Sequence, residues 1–107
     1  MTMKTLFDVR GKVAVVSGGS SGIGAMMARG LIENGAKVYI TARKEERLMA
    51  KAAELSELGE CIAIPSDLSN VEGIEALVAA ISEREEKIDI LINNAGANWS
   101  ASIRYRR

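Results

Sequence analysis

Ser17-Gly18-Gly19-Ser20-Ser21-Gly22-Ile23-Gly24 lies between the apolar run Val13-Ala14-Val15-Val16 and a segment of helical periodicity that begins near Ile23. The apolar run is short and rich in β-branched residues, which suits a strand covered on both faces in a parallel sheet. The glycine cluster therefore falls at a strand-to-helix turn. Glycine has no Cβ and adopts positive φ at little cost, so such a turn lets backbone come close to an anion. The helix behind it adds unpaired N–H groups and the positive end of its dipole. Position and composition together predict a phosphate cradle.

The same alternation continues outward from this turn. Ile23, Met27 and Leu31 recur every four residues with Ala28 and Ile32 beside them, predicting a helix to about Asn34 that Gly35 stops at the C′ position. Met26 and Met27 read as packing residues. Val38-Tyr39-Ile40 predicts a second buried strand, and residues 44–58 a helix with Leu48, Ala52 and Leu55 on one face and Gly59 as its stop. Cys61-Ile62-Ala63-Ile64 predicts a third strand, ended by Pro65. Ile74, Leu77, Val78 and Ile81 then mark a third helix, and the mixed charges Glu83-Arg84-Glu85-Glu86-Lys87 read as a solvated face. Ile88-Asp89-Ile90-Leu91-Ile92 predicts a fourth strand leading into Asn93-Asn94-Ala95-Gly96. The order β-α-β-α-β-α-β with short connections calls for an α/β fold with a doubly wound parallel sheet. Strand order 3-2-1-4 would put the glycine turn at the switch point, where ligands bind beyond the strand carboxyl ends.

Composition narrows the partners. A chain of 107 residues is near the common size of one domain and long enough to bury a core. Its 14 basic and 14 acidic residues cancel, so no global field draws it to nucleic acid or an anionic membrane. No apolar run is long enough to cross a bilayer, and residues 1–8 lack the hydrophobic region of a signal peptide, so a cytoplasmic location is expected. The lone Cys61 has no internal disulfide partner and reads as a small buried hydrophobe. Without histidine, the usual metal clusters and Ser-His or Cys-His nucleophile pairs are absent.

Three features now coincide. Ser17-Gly18-x-x-x-Gly22-Ile23-Gly24 after the first strand, Asp67-Leu68 after the third and Asn93-Asn94-Ala95-Gly96 after the fourth together resemble the short-chain dehydrogenase/reductase family. Gly18, Gly22 and Gly24 fill the glycine positions of that family's Thr-Gly-x-x-x-Gly-x-Gly pattern, with Ser17 in place of the commoner threonine. The resemblance covers residues 6–98 and implies a Rossmann fold, here a partial NAD(P)-binding domain over residues 1–98 followed by a divergent basic tail, 99–107. It implies that Ser20, Ser21 and Ile23 sit against the pyrophosphate and adjoining ribose. Asp67 would accept from the adenine amino group while the backbone of Leu68 contacts the ring. Asn93, Asn94, Ala95 and Gly96 would lie beside the coenzyme's riboses. The plainer readings are helix capping for the serines, a helix cap or turn for Asp67, and a simple turn for the asparagines.

The end of the second strand chooses between coenzymes. A domain that prefers NAD carries a carboxylate about 20 residues beyond the glycine motif for the ribose 2′-hydroxyl, whereas a 2′-phosphate needs a cation. Here stands Thr41-Ala42-Arg43-Lys44, with no acid to repel the ligand. Arg43 can stack on adenine and pair a phosphate through its guanidinium fork, and Lys44 adds a point charge. The competing reading, that both merely begin a helix, is awkward because cations are disfavoured at that end by the dipole. NADP is therefore expected over NAD.

The resemblance also implies a catalytic serine, tyrosine and lysine, the lysine four residues after the tyrosine, in a region following the fourth strand. Tyr39 is in a strand, Tyr105 has no residue four positions on, and Ser100 and Ser102 follow Asn93-Asn94-Ala95-Gly96 too closely to match. The expectation is a truncated or partial chain, no turnover on its own, and self-association through an exposed fourth strand. The reading is thus an NADP(H)-preferring oxidoreductase represented by its dinucleotide-binding half, loosely related to 3-oxoacyl reductases. The alternative is a non-catalytic nucleotide-binding or interaction fragment.

Overall fold

A computed structural model of the chain describes residues 8–20 and 22–94. Ser21, Ala95, Gly96 and the basic tail, with its Tyr105, lie outside the described residues. Four strands, β1 (Val13–Ser17), β2 (Lys37–Thr41), β3 (Cys61–Ala63) and β4 (Ile90–Asn93), alternate with three helices, α1 (Gly22–Glu33), α2 (Glu45–Leu55) and α3 (Val71–Ser82). All strand pairs are parallel and the order is β3-β2-β1-β4. That is the order the sequence pattern called for.

Alternation along the central strands splits the core into two layers. Ala14 and Val16 of β1 with Val38 and Ile40 of β2 meet Ala28 and Ile32 of α1 and Leu48, Ala52 and Leu55 of α2. On the opposite face, Val15 and Tyr39 meet Leu68 and Leu77 and Ile81 of α3. Successive side chains of a strand point to opposite faces, so the unbroken apolar run of β1 feeds both layers. Each fully buried aliphatic side chain contributes about 1.5–3 kcal/mol of transfer free energy.

The helix ends follow local chemistry. Gly35 adopts φ 93°, and the N–H groups of Gly35 and Ala36 donate to the carbonyls of Ile32 (3.0 Å) and Leu31 (3.0 Å). This is the left-handed glycine stop expected for α1. Asn70 caps α3, its Oδ1 accepting from Gly73 N at 2.7 Å.

Three expectations are corrected. The buried face of α1 is Gly24, Ala28 and Ile32, while Ile23, Met26 and Met27 are exposed. Small residues let the helix lie close to the sheet, which turns the methionines outward rather than into the core. The second helix ends at Leu55, before Gly59, because the chain tightens into a turn (Leu58 N to Leu55 O, 2.9 Å) and Ser56 Oγ donates to Cys61 O at 3.1 Å. Glu85 is not part of a solvated face: its carboxylate accepts from Tyr39 Oη at 2.6 Å and pairs with Lys37 Nζ at 2.6 Å. These contacts fasten the end of α3 to the start of β2.

Candidate coenzyme site

The carboxyl ends of β1, β2 and β3 send three loops to one side of the molecule, and backbone bonds hold them together. Gly18 N donates to Thr41 O at 2.9 Å, and Ser66 N donates to Ala42 O at 3.0 Å. Between these loops opens a cleft of about 440 Å³ lined by Gly18, Ser20, Thr41, Ala42, Arg43, Lys44, Arg47 and residues 66–69. Six of the residues picked from sequence, Gly18, Ser20, Arg43, Lys44, Asp67 and Leu68, thus meet on one wall or another of a single cavity.

The glycine turn has the geometry of a close backbone approach. Gly18 and Gly22 adopt φ 69° and 61°. Gly24 is buried on α1, and a Cβ there would collide with Gly18 O and come within 3.1 Å of Asn94 Nδ2. The third glycine therefore lets the helix start lie against the strand end. Ile23 is exposed beside this turn. Gly22, Ile23 and Gly24 flank the cleft rather than line it.

On the far wall, Asp67 Oδ1 accepts from Ser69 N at 3.0 Å and Ser69 Oγ at 2.6 Å. These bonds, and the nearby Arg43 guanidinium, hold the Asp67 carboxyl below its ordinary pKa. The helix cap belongs to Asn70, so of the two plainer readings for Asp67 only the turn applies. Leu68 is buried against Val15, Tyr39, Leu77 and Ile81, which anchors the loop that carries Asp67.

Lys44 occupies the N-cap of α2 with extended backbone and no side-chain cap bond. Arg43, Lys44 and Arg47 make no ion pair within 4.0 Å among the described residues. Thr41 Oγ1 is fully buried at the cleft and has no hydrogen-bond partner among the described residues. Ser17 is paired on both sides: its Oγ donates to Asn93 Oδ1 at 2.9 Å and accepts from Asn94 N at 2.9 Å. Ser17, Asn93 and Asn94 thus form a knot at the β1–β4 end, next to the cleft but outside its lining.

Arg47 and Thr41 were not singled out from sequence. The signal for Arg47 was its position four residues after Arg43. For Thr41 there was only its place at the last position of β2, because whether a strand-end hydroxyl finds a partner depends on tertiary structure. Cys61 is buried, and burial pushes its thiol pKa up to about 11, which suits packing rather than nucleophilic chemistry.

Comparison with known proteins places the chain in a family. Residues 12–105 match the family model for short chain dehydrogenase. The chain belongs to that family of oxidoreductases. It is 46% identical over 101 residues to the rhamnolipids biosynthesis 3-oxoacyl-acyl-carrier-protein reductase of Pseudomonas aeruginosa, covering 94% of this chain and 40% of that protein. It is 46% identical over 86 residues to a putative ketoacyl reductase of Streptomyces coelicolor, covering 79% of this chain and 33% of the relative. Among solved structures, it superposes on the Pseudomonas aeruginosa RhlG/NADP active-site complex with a TM-score of 0.84 and 47% identity, over 89% of this chain and 38% of the other. The actinorhodin polyketide ketoreductase with NADPH gives a TM-score of 0.77 at 44% identity, over 81% of this chain and 34% of the other. The chain therefore spans well under half the length of these relatives. Among the described residues, no helix is long and apolar enough to cross a membrane.

Proposed function

We propose that this chain is the dinucleotide-binding part of an NADP(H)-preferring oxidoreductase that moves a hydride between the nicotinamide and a carbonyl or alcohol. The observation that carries the preference is the end of β2, where Arg43 and Lys44 line the cleft with no ion pair within 4.0 Å among the described residues, and where no acid stands in the Thr41-Ala42-Arg43-Lys44 stretch itself. A 2′-phosphate supplies the missing anion, whereas an unphosphorylated ribose would leave those cations unpaired. The names of two relatives, one complexed with NADP and one with NADPH, support the same choice.

In this reading Ser20, Ser21 and Ile23 sit against the pyrophosphate and its ribose on the turn shaped by Gly18, Gly22 and Gly24, Ser17 fixes the strand end behind that turn, and Asp67 Oδ2 accepts from the adenine amino group. The coenzyme fits the residues present: the buried Thr41 Oγ1, without a partner among the described residues, and the backbone cradle around Gly18 are groups that a polar ligand would satisfy. Asn93, Asn94, Ala95 and Gly96 lie along the riboses. When bound, the coenzyme supplies the hydride, and this chain binds, orients and screens it. No tyrosine here is followed by lysine four residues on, since Tyr39 is followed by Arg43. We therefore expect no turnover from the 107-residue chain alone. A 3-oxoacyl compound is the substrate class to test first in a protein that carries the remaining residues, given the names of the relatives.

A second reading, an interaction fragment, draws on β4. This strand pairs only with β1 among the described residues, and Leu91 is 48% exposed on it. Thermal melting with NADPH, NADH and no ligand separates the two. Selective binding at 100 times the dissociation constant raises stability by about 2.7 kcal/mol. Identical melting in all three conditions would favour the interaction fragment.

A further inference from the structure

Arg47 lies in the first turn of α2, exposed, on the side of the helix that faces the cleft. Its neighbours Glu45 and Glu46 complement the helix dipole at that end but do not line the cleft. The helix thus turns its cation inward and its two acids away. A cation in the first turn of a helix is unfavourable against the dipole, and Arg43 and Lys44 crowd the same mouth. No ion pair relieves any of the three among the described residues. The acid that lines the cleft, Asp67, is already engaged through Oδ1 by Ser69. Thr41, which lines the same cleft, has a fully buried hydroxyl without a partner among the described residues. Three cations that face one carboxylate, Asp67, on a single cavity leave an excess of positive charge that calls for an anionic, hydrogen-bonding ligand.

We propose that Arg47 is a second guanidinium for the coenzyme's 2′-phosphate, so that Arg43 and Arg47 together set the preference for the phosphorylated dinucleotide. This rests on the NADP reading above. A phosphate monoester offers enough acceptor oxygens for two planar forks, each of which can bind it through paired N–H donors. Lys44 contributes as a point charge from the N-cap. Arg47 is a specificity-determining residue in this scheme and takes no part in the hydride step.

Isothermal titration of the protein with NADPH and with NADH, at low and at high salt, tests the assignment. Wild type binds NADPH more tightly than NADH. Arg43→Gln and Arg47→Gln each lower NADPH affinity about tenfold, as expected for loss of one charge-assisted contact. Arg47→Gln leaves NADH affinity unchanged, Arg43→Gln lowers it less than it lowers NADPH affinity because adenine stacking is lost too, and each flattens the salt dependence of NADPH binding. Arg47→Lys keeps the salt dependence but recovers only part of the affinity. Ligand-free Arg47→Gln melts no lower than wild type, because removing it relieves charge crowding instead of breaking a contact. If Arg43→Gln loses NADPH while Arg47→Gln binds it like wild type, the proposal for Arg47 falls and the NADP reading stands. If wild type binds both coenzymes equally, both fall.

Discussion

Ser17 and Thr41 face each other across the β1–β2 register, yet their hydroxyls end in opposite states: Ser17 Oγ bonds to Asn93 Oδ1 and Asn94 N, whereas Thr41 Oγ1 is buried with no partner among the described residues. One hydroxyl is structural, and the proposed coenzyme site leaves the other for a ligand. Ser17→Ala should therefore destabilise the ligand-free protein by about 1–2 kcal/mol, since it leaves polar groups at the β4 end without a partner. Thr41→Val should be neutral or slightly stabilising without ligand, and should weaken coenzyme binding. Chemical denaturation and coenzyme titration of the two variants check both halves of this contrast.

Gly24→Ala should cost about 1–3 kcal/mol, because the new methyl group meets Gly18 O and the Asn94 side chain and forces the helix off the strand end. Coenzyme affinity should fall with it, since the displaced turn is the proposed phosphate cradle. Gly30→Ala, where a Cβ meets nothing within 4 Å, is the matched control in the same helix and should be harmless or mildly stabilising.

The Lys37–Glu85–Tyr39 cluster makes stability depend on pH at both ends. Hydrogen bonds from Lys37 and Tyr39 hold Glu85 below the ordinary glutamate value of 4.5, so its contribution is present above that value and is lost as pH falls through the lowered one. The hydrogen bond to Glu85 raises Lys37 above 10.5, so that contribution is present below 10.5 and is lost as pH rises through the raised value. Burial raises Tyr39 in the same direction. Glu85→Gln should cost about 1–2 kcal/mol at neutral pH and flatten the acid limb of a stability–pH profile measured by urea denaturation.

Much of this architecture was legible in the sequence. Strand order follows from the alternation of apolar runs with helical periods, and Leu48, Ala52 and Leu55 are the buried face of α2 as their spacing implied. The part of α1 that misled was its face. Apolar spacing weights large residues, so Ile23 and Met27 led the reading, with Ala28 and Ile32 only beside them and Gly24 missed, although close packing on a sheet selects the small ones. Glu85 was hidden in a charge run because its partners lie 46 residues away at Tyr39 and farther still at Lys37, a separation that no local pattern encodes. In the cleft, the glycine turn, Arg43, Lys44 and Asp67 were readable because each carries chemistry in its residue type. The unpaired state of Thr41 was not, since it arises from what the tertiary structure leaves out of reach.

On the open side of the sheet, β4 with Leu91 exposed is expected to draw copies of the chain together. Sedimentation should then give a species heavier than the 11.5 kDa monomer at high concentration, and Leu91→Lys should shift it toward the monomer. A wild-type chain that stays monomeric across the concentration range would remove this prediction.

The most direct test of the account is a paired titration of NADPH and NADH into the protein, with the bound coenzyme located by its contacts at the Gly18 turn and Arg43. The account predicts NADPH bound at least about tenfold more tightly, a difference of about 1.4 kcal/mol, with its 2′-phosphate at the end of β2. Equal affinity for the two, or a coenzyme bound away from that cleft, would contradict it.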